Sequence, residues 1–241
     1  MSRQATGSDE RDMPTMLPAR STSLLLTALA VLGGGLTGCA VTSDPTDLAP
    51  ELYVEEPDYA PEAVDAFRMD GVGSAYGLVT DFALEHAFKA PLLDPARSYH
   101  GLAELTLPVL PRLVPEGRRT FAAQVASAVA GDLDAQDGLR VLTFYGWRGP
   151  GWSLPEDGDP VVFEHLTEPS VEFVPATSDR PEQLLISFVH TARLRFVDDG
   201  APFHLDVQKD MAFWMVPATG TDGPSWLIDS YDGVFRVTEV G

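Results

Sequence analysis

Apolar positions change their spacing three times along the chain. Leu24 to Leu36 reads LLLTALAVLGGGL, one uncharged block, and the charge-free stretch around it runs from Ser21 to Ser43. Further on, Leu78, Val79, Phe82, Ala83 and Ala87 recur at helical spacing, which predicts a helix from an N-cap at Ser74 to about Ala90, where Pro91 stops it. Tyr99 to Leu113 is a less regular helical segment that Pro108 and Pro111 must kink or end. Arg118 to Ala130 is a third helix, with Phe121, Val125 and Val129 inward and Gly131 closing it. After Gly138 the runs LRVLTFYGW, VVFEHL and VEFVPAT read as short strands between turns. The period then becomes two: Ile186, Phe188, His190, Ala192, Leu194 and Phe196 share one face. Asp198, Asp199 and Gly200 make a hairpin turn, and Phe203, Leu205, Val207, Met211, Phe213 and Met215 face inward on the return. A turn at Gly220 to Pro224 leads into a last strand from Trp226. Helices followed by an antiparallel meander predict an α+β domain, with the helices covering one face of the sheet.

The apolar block at the start reads as an export signal, because Arg3, Arg11 and Arg20 precede it and its 13 residues fall short of the ~20 that a spanning helix requires. Leu36, Thr37, Gly38 and Cys39 follow, and they resemble the lipobox of bacterial lipoproteins. That resemblance implies cleavage before Cys39, the only cysteine, and its acylation. The destination is then the extracytoplasmic face of the cell membrane, with the lipid on Cys39 as anchor. Met1, Met13 and Met16 are all usable starts, and no adjacent arginine pair supports a twin-arginine route. Residues 1–38 are the leader, so the mature chain has 241 − 38 = 203 residues and no intramolecular disulfide.

Residues 39–62 read as a tether. Asp44 to Glu62 holds seven acids, no base and prolines at 45, 50, 57 and 61, a composition that self-repels and stays extended. The folded domain is expected over 63–241. A formal net charge of −20 excludes binding to nucleic acid by phosphate neutralisation, while a 44% hydrophobic content is enough for a sizeable core.

Helices at the start, long antiparallel strands at the end and a final strand reading W-L-I-D-S-Y-D-G resemble the NTF2-like, cone-shaped α+β fold. More narrowly, the chain is similar to lipoproteins of actinobacterial type that carry it. The resemblance implies a curved antiparallel sheet, a pocket between sheet and helices, and a homodimer through the sheet as one assembly. It hosts isomerase- and cyclase-like enzymes as well as members that only bind or assemble, so the fold alone leaves function open.

An enzyme on this frame needs a base facing an apolar cone with a proton donor across it. His190 is the one polar residue on its strand face, and Asp229 or Tyr231 would be its partner; the commoner outcome is a core histidine satisfied by one bond. Lys209 interrupts the apolar face of the return strand. It would meet an anionic ligand if it pointed inward, whereas snorkelling or a bulge that turns it out is the expected outcome. Phe188, His190, Lys209, Phe213 and Tyr231 are the pocket candidates. Asp132, Asp134 and Asp137 read as a solvated acidic turn more readily than a calcium loop, since Thr143 stands where a bidentate glutamate belongs. Gly71, Gly73 and Gly77 lack the preceding strand of a dinucleotide loop. Trp147 and Trp152 are expected to tuck back over the core rather than to meet a partner. With no H-E-x-x-H, G-x-S-x-G, P-loop or C-x-x-C motif, neither cofactor nor metal is expected. The reading is a lipid-anchored domain with a non-catalytic binding or assembly role at the envelope, partnered by the membrane and an envelope protein. Its alternatives are a carrier or sensor of a small hydrophobic ligand and an enzyme with His190 as base.

Overall fold

A computed structural model describes residues 50–98, 100–156, 159–219 and 225–240. The leader, Cys39, the tether up to residue 49 and the turn at 220–224 lie outside the described residues. The elements in chain order are β1 (Glu51–Val54), β2 (Asp58–Tyr59), α1 (Pro61–His86), α2 (Ala90–Leu93), α3 (Leu102–Thr106), α4 (Pro115–Val129), α5 (Leu133–Leu142), β3 (Trp152–Ser153), β4 (Val161–Val174), β5 (Gln183–Asp198), β6 (Ala201–Pro217) and β7 (Trp226–Val240).

Four long strands, β4 to β7, form an up-and-down meander whose register follows the period-two pattern. β5 and β6 pair without interruption from Leu184 opposite Met215 to Asp198 opposite Ala201. Asp199 and Gly200, both at positive φ (49° and 84°), close that hairpin as a two-residue turn whose twist matches the strands. β7 pairs with β6 with one register shift, between Trp214 and Met215, which leaves Asp229 as the extra residue. The helices cover one face: α1 packs on β4 and β5, and α4 and α5 pack on β7. The fold is therefore α+β, helices on a curved, unclosed sheet.

Several expectations are corrected. The sheet is mixed, because β1 and β2 run parallel to β4 along its outer edge. These two strands come from residues assigned to the tether, so strand structure is already present at Glu51, ahead of Ala63. The composition predicts extended backbone there; Leu52, Tyr53 and Val54 favour strand, and the edge of β4 offers unpaired groups to an extended neighbour. The first helix starts at Pro61 in the first turn, not at Ser74, and bends at Arg68 (φ 62°). Ser74 is mid-helix, where its hydroxyl bonds that of Ser225 at 3.0 Å, and Gly71, Gly73 and Gly77 lie in the same helix. LRVLTFYGW is not a strand: α5 runs through Leu142, started by Asp132, whose carboxylate accepts from the Ala135 N–H at 3.0 Å. VVFEHL and VEFVPAT are one strand, β4, bent where Glu168 takes a φ of 53°. Trp147 and Trp152 do tuck back, Trp147 against Phe144 and Phe235, Trp152 against Phe196 and Phe203.

Candidate functional site

The inner face of the sheet carries two apolar clusters, and a polar rung lies between them. Along β5, Phe188 belongs to one cluster and Ala192 to the other; along β6, Met211 and Val207 divide the same way. His190 and Lys209, directly opposite each other, are the residues in between. Glu164 on β4 completes the rung, with Oε1 2.7 Å from His190 Nε2. Neither His190 nor Lys209 has any exposed surface.

Burial governs the chemistry of this rung. Lys209 points straight into the core: β5 and β6 pair without a bulge, so the expected turn outward does not occur. Its Nζ stands 3.4 Å from the carbonyl oxygens of Ala87 and Leu142 and 4.4 Å above the centre of the Phe88 ring. Desolvation pushes its pKa down to about 7, against the opposing pull of Glu164. Desolvation likewise lowers the pKa of His190, and the bond from Glu164 works the other way. His190 Nδ1 has no hydrogen-bond partner among the described residues. A neutral imidazole that donates through Nε2–H to the Glu164 carboxylate fits both the geometry and the burial. With no exposed surface, this imidazole packs against Phe88 and Phe188 and lies opposite Lys209.

The proton donors proposed for His190 lie elsewhere. Asp229 sits at the β7 bulge, where its Oδ2 accepts from Gln183 Nε2 at 3.0 Å. Tyr231 lies opposite Phe213 and donates its hydroxyl to Gln124 Oε1 at 2.9 Å, and burial holds its pKa above the usual range. Both residues line a half-open cleft of about 660 Å³ between α4, α5 and β7. Leu113, Phe121 and Val141 supply apolar walls, while Gln124, Asp232 and Arg180 add polar groups. The closely packed junction at Gly233 forms one end. An added Cβ there would stand 2.6 Å from the Asp210 carbonyl and 2.8 Å from Val141 Cγ1, so α5 reaches the sheet only because this residue has no side chain.

Of the predicted pocket residues, His190, Lys209, Phe188 and Phe213 come together in the interior, and Tyr231 alone opens into the cleft with Asp229. The centre of the expected cone is filled by Phe188, Phe213 and Met215, which are buried and stacked or packed together. Glu164 and Gln124 were not anticipated. Glu164 shares the parity of Leu166, which pairs with His190, so the strand register would have flagged it; Gln124 carried no signal apart from its place on the Phe121–Val125 helix. No helix among the described residues is long and apolar enough to cross a membrane. Comparison with family models, curated proteins and solved structures finds no match to this chain.

Proposed function

We propose that this protein is a lipid-anchored, extracytoplasmic binding module of NTF2-like type that takes a small, partly apolar ligand in the cleft between α4 and β7. The cleft carries this reading: about 660 Å³ is the size of an ordinary small-molecule site, and it combines apolar walls with a few fixed polar groups. Tyr231 and Gln124, bonded to each other, offer a polar contact beside the Phe121 ring. The leader and Cys39 support the envelope location, with the lipid as membrane partner. The helices-then-meander order supports the fold family. A catalytic role for His190 has no support, since its reactive nitrogens are enclosed and its intended partners are in the cleft.

Native mass spectrometry of the full chain, taken from membranes of an export-competent relative of its host, tests this reading. A small mass lost on denaturation, and absent from a Thr120→Trp variant that places an indole in the cleft, is the expected result. A ligand-free wild-type mass would sink the carrier reading and leave assembly with an envelope protein, or as a homodimer, as the role to pursue.

A further inference from the structure

A second cavity, of about 160 Å³, is lined by the end of α4, by α5 and by residues from the segments 97–105 and 145–148. At ~30 Å³ per water that is room for about five waters, or for one small polyatomic ion. Its polar lining includes Arg97, His100, Gln136, Arg140, Tyr145 and Arg148, and no carboxylate lines it, in a chain of net charge −20.

Donors are left over here. His100 is 7% exposed and neither ring nitrogen has a hydrogen-bond partner among the described residues, with Glu104 Oε2 standing 3.8 Å from Nδ1; Tyr145 is 6% exposed and its hydroxyl also has none. Buried polar groups are ordinarily paired, so two such side chains lining one cavity are open to a partner, water or ligand, that accepts hydrogen bonds. Arg148 is exposed and makes no ion pair among the described residues. The other two guanidinium groups are held in place. Arg97 grips Glu104 with both terminal nitrogens (2.6 and 2.8 Å), and Arg140 is fixed by Asp137 at 2.7 Å and the Tyr145 carbonyl at 3.2 Å. Burial keeps His100 below the ordinary histidine pKa, with Arg97 and Arg148 adding to this and Glu104 and Asp94 opposing it. A neutral imidazole still offers one N–H.

We infer that this cavity is a binding site for a small oxyanion of the phosphate or sulfate class, received by Arg148, the Tyr145 hydroxyl and a His100 N–H, with Arg140 adding charge from the wall. Guanidinium and hydroxyl donors match the several acceptor oxygens of such an ion, and charge-assisted bonds of this type are the strong ones. The site is independent of the cleft proposed above, since none of its lining residues is shared.

Isothermal titration of the full chain with inorganic phosphate and sulfate, at constant ionic strength, is the test. Saturable one-to-one binding is expected, weakened about tenfold or more in Arg148→Gln and in Tyr145→Phe, a loss of about 1.4 kcal/mol per tenfold. Arg148 is exposed and Tyr145→Phe keeps the ring, so both variants should fold; Glu116→Gln, in the other cleft, should bind like wild type. Glycerol 1-phosphate separates the sources: binding as tight as phosphate assigns a headgroup or phosphoester, and binding of the inorganic ion alone assigns the free anion. Absence of saturable binding by any of these, or binding unchanged in both variants, would overturn the assignment.

Discussion

Replacing Lys209 with methionine should stabilise the protein at neutral pH and remove much of the pH dependence of its stability. The unfolded chain holds the lysine proton with a pKa near 10.5, whereas the buried side chain holds it at about 7. Between those values the unfolded state binds more protons, so wild-type stability rises with pH by about 1.4 kcal/mol per unit. Below about pH 7 the penalty is constant, and above the unfolded pKa it is gone. At pH 7.5 the cost is 2.303RT × (10.5 − 7.5), about 4 kcal/mol. Methionine has nearly the same length and no charge. It forgoes two long contacts to the Ala87 and Leu142 carbonyls, together worth about 1 kcal/mol. The Ala87 carbonyl keeps the Phe144 N–H at 2.8 Å. The net expectation is a gain of about 3 kcal/mol at pH 7.5, shrinking towards zero by about pH 10. Urea titrations of both proteins at half-unit pH steps measure this directly. Two stability curves that stay parallel from pH 7 to 10 would refute the reasoning, because a packing effect alone carries no pH dependence.

His190 adds a second slope of the same sign: burial lowers its pKa, so stability should fall as the pH drops below the ordinary 6.5, and His190→Gln should flatten that acid limb in the same titrations. Gly233→Ala should cost about 1–3 kcal/mol in urea unfolding, since the methyl meets the Asp210 carbonyl and Val141 at distances that force α5 off the sheet. Tyr231→Phe removes the bond to Gln124 at a cost of about 1 kcal/mol and should weaken retention of a cleft ligand in native mass spectra, with no change at the phosphate-class site. Cys39→Ala should move the protein from the membrane to the soluble fraction on fractionation; continued retention would make the apolar block an uncleaved anchor.

The β-meander was legible because a half-buried strand writes its inward face into every second residue, and the inward sets on β5 and β6 are those the alternation named, except that Lys209 joins the inward face of β6. The helical half was less so. Glycines at 71, 73 and 77 obscured the start of α1, and Asp132, Asp134 and Asp137 read as a turn although Asp132 caps α5 and the other two lie within it. The tether's edge strands were hidden by composition, since acidity and proline signal extension but not whether a partner strand is within reach. The site suffered from a different limit. His190 and Lys209 stood out as polar interruptions, but whether they face a cavity or a packed core depends on Phe88, Ala87 and Leu142, contributed by distant segments. The residues of the phosphate-class site span 97 to 148 and share no motif, so only the folded chain brings them together.

The two cavities and the sealed rung follow from one packing decision. α4 and α5 rest on β7, with Gly233 allowing Val141 close to the sheet, and residues of this helix pair line both the cleft and the smaller cavity. The rung lies under α1 and the end of α5, where Ala87 and Leu142 turn their carbonyls towards Lys209. An amine held between backbone carbonyls, facing a histidine tied to a glutamate, bears on the strand register. Slipping β6 by one residue would put Lys209 on the outer face and bring Gln208 or Asp210 inward. A buried polar group used in this way trades stability for a single arrangement, so the Lys209→Met protein should be the more stable and also the less strictly registered of the two. Amide hydrogen exchange along β6 measures that second property. Faster exchange around residue 209 in the stabilised variant, against the global trend, would establish the rung as a register device. Uniformly slower exchange would reduce it to a tolerated cost.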